Sequence, residues 1–333
     1  MPFSIVRNDI TKMEVDAIVN STSPIPSTGG GTEAKINQVA GEKLFMERSS
    51  LGNLYTTQAV MTEGFNLPAK YVIHVASPIY EDGKKGEDHL LYITYLNALN
   101  LAKEKQLDSI AFPLLASGLM GFPRGDALSI ALKAIKDFLL ENEMMIYLLV
   151  YDKLSYLISL ERFANVKSYL DENLEIEEYY PHHGKSSRMR FANMENIYAD
   201  RVPLKKIKKE RSFENILKDL EEPFNLSLLK IIDAKGLTDP EVYKKANIDR
   251  KLFSKIKTNK DYHPRKNTVL SLCIALELGL DDTKDLLQKC GYALSMASKF
   301  DIIIQYFIEN ENYDIYEIDG TLFSLIGKTL SNF

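Results

Sequence analysis

Short apolar runs alternate with longer amphipathic stretches along the first half of the chain. Five runs have the length and apolarity of buried strands: Phe3–Arg7, Val15–Asn20, Tyr71–Ala76, Ser109–Leu115 and Met145–Tyr151. Three stretches repeat apolar residues at helical spacing instead: Asp88–Lys105, Arg124–Glu141 and Ser155–Glu172. This alternation predicts an α/β domain whose sheet is covered by helices on both faces.

The pattern changes near residue 173, where the chain becomes polar and charged. From residue 212 onward only helical patterns follow, over Leu226–Lys235, Asp239–Ala246, Arg250–Thr258, Lys266–Leu278, Thr283–Lys289 and Ser298–Asn310. The sequence therefore predicts an α/β domain over residues 1–172, a charged and partly helical linker over 173–211, and an all-α domain over 212–333.

The composition is that of a globular protein. Of the 333 residues, 45% are hydrophobic and 26% are charged, which excludes a mainly disordered or fibrous chain. No apolar run approaches the roughly 18 residues needed to span a bilayer, and the first ten residues lack the pattern of a secretory signal. Two cysteines, Cys273 and Cys290, provide neither a disulfide framework nor a metal-ligand spacing. We expect a cytoplasmic protein without a metal or a membrane partner.

The formal net charge is only −5, but charge is distributed unevenly. Lys and Arg outnumber Asp and Glu between Leu204 and Lys266, and the reverse holds between Glu277 and Asp319. Two interpretations stay open: ordinary solvated faces, or a basic surface for nucleic acid or a partner followed by an acidic cap.

Two glycine-containing loops follow predicted strands, where ligands of open α/β sheets bind. The first carries Gly29, Gly30 and Gly31 before a helix-like start at Thr32. The second consists of Ser117, Gly118, Leu119, Met120, Gly121 and Phe122. Main-chain N–H groups in such loops, and at the following helix, suit phosphate oxygens. Each loop taken alone is also compatible with a plain turn.

The order of these segments resembles the macrodomain family. The resemblance rests on five stretches: Ile5–Thr11 with Val15–Asn20, the glycine triplet, YVIHVASP at Tyr71–Pro78, IAFPLLASGLMGFP at Ile110–Pro123, and IYLLVYDK at Ile146–Lys153. It implies a three-layer α/β/α macrodomain with a mixed sheet in the N-terminal half, and a bacterial type of protein. Macrodomains bind ADP-ribose and related nucleotides, and some hydrolyse ADP-ribose from modified substrates.

The resemblance also implies roles for matched residues. Asp9 would accept a hydrogen bond from the adenine amino group, Ile10 would pack beside the ring, and Tyr151 would flank it. The glycine triplet with Thr32 would line the distal ribose and diphosphate, residues 117–122 would enclose the diphosphate, and Asn20 would lie near the distal ribose. Asp9 as the cap of a turn and Tyr151 as a core residue are the plainer alternatives.

The pattern of the hydrolytic macrodomains is altered at two positions. Ser23 replaces an Asn and Glu33 replaces an Asp that is thought to help activate water. Glutamate keeps the carboxylate but displaces it, and a displacement near 1 Å can cost on the order of 10²-fold in rate. Glu33 is therefore our candidate catalytic residue, with a first-turn helix residue as the equal alternative.

A second motif lies in the all-α region. In Leu237–Lys260, Thr238 can cap one helix and Asp249 a second, with a tight turn at Asn247 between them. The segment resembles the helix-turn-helix of phage repressors. Five residues would then reach base edges and phosphates: Arg250, Lys251, Ser254, Lys255 and Lys257. An α-helical interaction module with solvated lysines is the alternative.

The sequence thus predicts a chain that binds ADP-ribose, or an ADP-ribosyl group on protein or nucleic acid, with ADP-ribose as ligand and no cofactor. A mono-ADP-ribosyl hydrolase and a nucleotide-responsive transcription regulator stay open as alternatives. DNA is a candidate partner of the helical region, and a homodimer is open because repressor-type modules often pair.

Overall fold

The computed structural model describes residues 2–27, 29–150, 222–259 and 262–331, together with Val166, Tyr169 and Leu170. The predicted linker 173–211 lies outside the described residues, and so does the predicted helix Ser155–Glu172 apart from those three residues. The domain boundaries drawn through these segments stay a prediction.

The N-terminal half forms a six-stranded sheet. Its strands are β1 Phe3–Val6, β2 Ala17–Thr22, β3 Ala59–Glu63, β4 Tyr71–Ala76, β5 Ser109–Pro113 and β6 Met145–Leu149. The strands lie in the order β1-β6-β5-β2-β4-β3, with every neighbouring pair parallel except β3 and β4. The sheet is therefore mixed, as predicted.

Helices cover both faces of this sheet. They are α1 Gly31–Ala40, α2 Glu42–Ser50, α3 Glu87–Glu104 and α4 Arg124–Glu141. Because successive strand residues point to opposite faces, Ala17 and Val19 of β2 pack in the core with α3 and α4. Ile18 between them packs with α1 and α2. This is the predicted three-layer arrangement.

Two elements of this half are not indicated by the hydrophobic pattern. Strand β3 pairs with the rest of the sheet along one side only, and Thr62 is its one buried residue. Helix α2 buries only Leu44 and Arg48. Elements that bury so little lack the periodic apolar residues by which the other elements are recognised.

The C-terminal half is all-α, as predicted. Its helices are α5 Phe224–Ala234, α6 Asp239–Lys245, α7 Arg250–Thr258, α8 Lys266–Ala275, α9 Leu280–Gln288, α10 Lys299–Glu309 and α11 Ile315–Ile326. The predicted caps form: the Glu241 carboxylate accepts the Thr238 main-chain N–H at 2.7 Å, and Asp249 accepts that of Leu252 at 2.9 Å. Asn247 takes a φ of 51° in the turn between α6 and α7.

Helix α11, which the sequence analysis does not predict, joins the two halves. Tyr316 places its ring 5.4 Å from that of Phe3 in β1, and Asp314 pairs with Lys136 of α4 at 2.5 Å. At Gly320 a Cβ atom would lie 3.1 Å from Leu132 of α4, so the helices approach closely there. No helix among the described residues is both long and apolar enough to cross a membrane.

Candidate functional site

A cavity of about 360 Å³ opens at the carboxyl edge of the sheet. The residues that line it come from the ends of β1, β5 and β6 and from the first turns of α1: Asn8, Asp9, Ile10, Gly31, Thr32, Lys35, Pro113 and Leu149. Parallel strands bring their carboxyl ends to one edge, which explains why segments distant in sequence meet here. Four predicted binding residues, Asp9, Ile10, Gly31 and Thr32, are thus brought together.

Asp9 presents a heavily hydrogen-bonded carboxylate to this cavity. Its Oδ1 accepts the main-chain N–H of Thr11 at 3.1 Å and the Thr11 hydroxyl at 2.8 Å, and its Oδ2 pairs with Lys35 Nζ at 2.7 Å. Burial acts to raise the pKa of Asp9, but the hydrogen bonds from Lys35 and Thr11 outweigh it and hold that pKa below its usual value. Asp9 therefore caps a turn and also carries full negative charge at the cavity wall.

The first glycine loop leads into α1 with its glycines in unusual conformations. Gly29 and Gly31 have φ values of 68° and 56°, and Gly30 is the residue that precedes the first turn. Only glycine adopts a positive φ without a steric penalty, so the conformation of the chain here explains why glycines stand at these positions. The first turns of a ten-residue helix then face the cavity, where free N–H groups and the helix dipole favour an anion.

The second glycine loop lies against the first. A Cβ atom at Gly30 would be 3.3 Å from Leu119 Cδ1, and the Leu119 side chain is 87% exposed. Within the loop, Gly121 N–H donates to the Gly118 carbonyl at 3.0 Å, and Ser117 Oγ donates to the Leu114 carbonyl at 2.8 Å. The two loops predicted to flank a ligand are therefore in contact.

The remaining members of this loop have different surroundings. Phe122 is buried against Tyr80 with ring centroids 5.0 Å apart, so it anchors the loop from inside rather than facing solvent. Met120 lines a neighbouring groove, and its carbonyl accepts the Tyr80 N–H at 2.8 Å.

Tyr151, the predicted partner of adenine, lies outside the described residues.

Glu33 lies in the first turn of α1 and is buried beneath the glycine loop. Its carboxylate accepts the hydroxyl of Thr22 and a main-chain hydrogen bond from Ser23. Burial raises the pKa of Glu33, and the interactions with Thr22, Arg48 and Ser23 oppose that rise without cancelling it. A carboxyl group of this kind can exchange a proton nearer to neutral pH than an exposed glutamate can.

A buried polar network crosses the neighbouring strands β2, β4 and β3. Asn20 Nδ2 donates to His74 Nδ1 at 3.3 Å, and His74 Nε2 donates to Thr62 Oγ1 at 2.9 Å. Burial, with the nearby charge of Arg48, lowers the pKa of His74 to about 3, so the imidazole is neutral at pH 7. Asn20 Oδ1 is buried and has no hydrogen-bond partner among the described residues.

Sequence reasoning misses several residues of this region. Arg48 is buried at 3% exposure and donates to the main-chain carbonyl of Gly52 at 2.6 Å. Lys35 pairs with Asp9, and Asn8, Pro113 and Leu149 line the cavity. Asn8 directly follows the predicted strand Phe3–Arg7, and Pro113 and Leu149 lie near the ends of two other predicted strands, which is a usable signal. Nothing in the local sequence marks Arg48. In the part of the chain that the structure describes, no three His, Cys, Asp or Glu side chains form a metal-binding group.

The predicted DNA-contacting residues lie on α7, away from this cavity. Arg250, Lys251, Ser254 and Lys255 are exposed, and Lys257 pairs with Asp239 at 2.7 Å. Lys255 places its ammonium 4.4 Å from the centre of the Tyr262 ring. Arg250 and Lys251 also line a cavity together with Asp108 and Glu143 of the N-terminal half.

Comparison with known proteins concerns the N-terminal half. A family model described as Macro domain matches residues 19–131. A macro domain-containing protein of Methanosarcina mazei is 42% identical over 151 residues, which cover 45% of this chain and 81% of the relative. O-acetyl-ADP-ribose deacetylase of Escherichia coli (strain K12) is 37% identical over 155 residues, covering 45% of this chain and 88% of that enzyme.

Solved structures give matches of the same extent. The Oceanobacillus iheyensis macrodomain with ADP is 33% identical with a TM-score of 0.45, over 50% of this chain and 92% of that one. The Trypanosoma brucei macrodomain in complex with ADP-ribose is 29% identical with a TM-score of 0.44, over 48% and 68%. Because the Methanosarcina relative is matched along most of its length at 42% identity, this chain belongs to the macro domain family.

Proposed function

We propose that the N-terminal half binds ADP-ribose, free or as an ADP-ribosyl group on a macromolecule, in the cavity beside Asp9. The observation that carries the proposal is the meeting of the Asp9 carboxylate with the amino end of α1 in one cavity. Its volume of about 360 Å³ is within the range of small-molecule sites, about 300–1,000 Å³. A hydrogen-bond acceptor for a purine and a helix end for phosphates are thus side by side.

The roles that we propose for individual residues are those that the family resemblance implies. Asp9 accepts a hydrogen bond from the adenine amino group. A carboxylate has about four lone-pair positions, and the contacts with Thr11 and Lys35 leave room for one more donor. Ile10 packs on the ring, and Tyr151 flanks it. Gly29, Gly30, Gly31 and Thr32 line the distal ribose and diphosphate, and residues 117–122 enclose the diphosphate. Asn20 and Ser23 lie toward the distal ribose.

A thermal-shift panel tests the ligand class. A ligand that binds only the folded protein raises its stability by RT ln(1 + [L]/Kd), so equal concentrations of ADP-ribose, NAD, AMP and ATP rank the affinities. We expect the largest increase in Tm with ADP-ribose. Equal increases with all four nucleotides, or none with ADP-ribose, would reject the proposal.

A second candidate function is the hydrolysis of ADP-ribosyl esters, and Glu33 favours it. A buried carboxyl group with a raised pKa at the glycine run is suited to general base catalysis on a water molecule. Relatives 37% and 39% identical over 155 residues are O-acetyl-ADP-ribose deacetylases. O-acetyl-ADP-ribose and a mono-ADP-ribosylated protein are therefore the substrates to test.

Release of ADP-ribose from these substrates, followed by chromatography, distinguishes an enzyme from a binder. If Glu33 acts as the base, Glu33→Gln lowers the rate by at least about 10²-fold while calorimetry still detects ADP-ribose binding. Absence of turnover in the wild-type chain, or equal turnover in Glu33→Gln, would exclude this role of Glu33.

For the helical half we propose a nucleic-acid or partner-binding module of the repressor type, centred on α7. The capped helix pair and four exposed polar or basic side chains on α7 support the proposal. Anisotropy with a DNA duplex at low salt tests it: binding should weaken steeply with salt and with Lys255→Ala, but not with Lys103→Ala on α3. No binding at low salt would leave a protein partner and exclude a DNA-linked regulator.

A further inference from the structure

Four large apolar side chains are exposed on chain segments that adjoin a groove beside the proposed ligand site. They are Ile25 at 66%, Tyr55 at 83%, Ile79 at 66% and Leu119 at 87% exposure, and we call them the apolar rim. Single exposed apolar residues are common on proteins, but several around one groove indicate a surface that another molecule covers.

Hydrogen bonds bring together the chain segments that carry the rim residues. Leu54 N–H donates to the Pro24 carbonyl at 2.9 Å, which joins the segments of Tyr55 and Ile25. The bond from Tyr80 N–H to the Met120 carbonyl joins the segments of Ile79 and Leu119 in the same way. Between them lies a groove of about 310 Å³, which Ile79 lines together with the sequence neighbours of the other three rim residues, Pro24, Thr56 and Met120.

The groove lies beside the two glycine-containing loops of the proposed ADP-ribose site. Leu119 lies against Gly30 of the first glycine loop, and Pro24 and Met120 belong to the two loops that are predicted to flank the ligand. If adenine is held at Asp9 and the diphosphate at the amino end of α1, the far end of the ligand points to this groove. Whatever carries an ADP-ribosyl group then lies on the apolar rim.

The charges in the groove decide which kind of molecule fits. Among the described residues that line it, Lys85 is the single cation, and it pairs with Glu81. The Glu87 carboxylate accepts the main-chain N–H groups of Glu81 at 3.3 Å and Lys85 at 2.7 Å. Nucleic acids are bound mainly through contacts of Lys and Arg with phosphates. This lining carries two carboxylates and one lysine that is already paired, which does not favour a nucleic acid.

We propose that the apolar rim binds the polypeptide segment that bears an ADP-ribosyl group, so that the site selects protein-linked over nucleic-acid-linked ADP-ribose. The proposal rests on the binding of ADP-ribose in the Asp9 cavity proposed above. The segment places apolar side chains next to its modified residue, against Tyr55 and Ile79, where burial of apolar surface supplies the affinity.

Binding of four probes by the full chain tests this. They are free ADP-ribose, a peptide with leucines flanking the residue that carries ADP-ribose, the same peptide with glycines instead, and a single-stranded DNA with ADP-ribose attached at one end. A triazole linkage in the three conjugates prevents hydrolysis. We expect the leucine peptide to bind at least about 10-fold more tightly than the other three probes, which corresponds to 1.4 kcal/mol.

The double variant Tyr55→Ser, Ile79→Ser isolates the rim, since both side chains are largely exposed and contribute little to folding. It should lose about 10-fold in affinity for the leucine peptide and keep its affinity for free ADP-ribose. Met46→Ser, at a residue 64% exposed on α2 and outside the groove lining, is the matched control and should change neither.

The outcomes separate the two proposals. Equal affinity of the wild-type chain for the leucine peptide and for free ADP-ribose, tightest binding of the DNA conjugate, or an unchanged double variant would each overturn the role of the rim. Failure of the wild-type chain to bind free ADP-ribose would overturn the proposed function itself.

Discussion

The side-chain amide of Asn247 makes both main-chain hydrogen bonds of Phe3. The Phe3 N–H donates to Asn247 Oδ1 at 3.0 Å, and Asn247 Nδ2 donates to the Phe3 carbonyl at 2.9 Å, both in a buried environment. Phe3 belongs to β1, the strand at one edge of the sheet. A residue in the turn between α6 and α7 thus provides the pairing that a further strand would, and covers an edge that would otherwise be open.

Replacing Asn247 should destabilise the whole chain. Asn247→Ala leaves the buried N–H and carbonyl of Phe3 without partners, and we expect the free energy of unfolding in urea to fall by about 2–5 kcal/mol. Asn247→Gly, which tolerates the positive φ, should lose nearly as much if the hydrogen bonds are the cause.

Asn310→Ala is the matched control, because the Asn310 side chain donates to the Tyr306 carbonyl at 2.8 Å in an exposed position. It should cost less than about 1 kcal/mol. Similar losses for the replacements at 247 and 310 would show that the contact with β1 contributes little.

Asp319 should make stability depend on pH. It is fully buried on α11, where its carboxylate accepts the Leu330 N–H at 2.6 Å and the Ser331 hydroxyl at 3.0 Å. Burial raises the pKa of Asp319 to about 7, and these hydrogen bonds oppose the rise only in part. A carboxyl group whose pKa is raised by folding favours the folded state at low pH, and this contribution disappears as pH rises from about 4 to about 7.

Asp319→Asn removes the charge and keeps an oxygen for Leu330. Relative to wild type, its free energy of unfolding should therefore rise by about 2–3 kcal/mol between pH 5 and pH 8. Urea titrations at the two pH values measure the difference, with the exposed Asp281→Asn of α9 as a control for net charge. A difference between variant and wild type that does not change with pH would contradict this role of Asp319.

Gly29 should be the most sensitive glycine of the first loop. It combines a φ of 68° with a position where a Cβ atom would overlap the side chain of Glu33. Gly29→Ala must displace Glu33, so we expect ADP-ribose affinity to fall by about 10-fold or more in calorimetry. Gly236→Ala, with a φ of 65° and no atom within 4 Å of the added Cβ, should cost about 1–2 kcal/mol of stability and leave affinity unchanged.

Local patterns in the sequence predict much of the N-terminal half. The alternation of side chains in β2 places Ile18 on one face of the sheet and Ala17 and Val19 on the other. The glycine run of the first loop predicts the positive φ found at Gly29 and Gly31. These features depend on neighbouring residues alone, so a single sequence contains them. The same holds for the caps at Thr238 and Asp249.

Features that depend on distant residues are not visible in the sequence. Helix α11 is buried against both α4 and β1, so its apolar residues lie on more than one face. The helical period of apolar residues, by which an amphipathic helix is recognised in a sequence, is therefore obscured. Asn247 is predicted only as a turn residue, because its partner Phe3 lies 244 positions away. At the site, the pairing of Lys35 with Asp9 depends on the approach of α1 to the end of β1, which the fold alone sets.

Calorimetric titration of the full chain with ADP-ribose, in wild type and Asp9→Ala, shows whether the Asp9 carboxylate holds adenine. Loss of the acceptor for the adenine amino group should cost about 1–3 kcal/mol, which weakens binding by roughly 5- to 150-fold. Asp137→Ala is the control. The Asp137 carboxylate, on α4, likewise pairs with a lysine and accepts a hydrogen bond from a hydroxyl, those of Lys133 at 2.9 Å and Tyr92 at 2.8 Å. We expect that only Asp9→Ala weakens binding. Equal affinities in all three proteins would show that adenine is not held by Asp9.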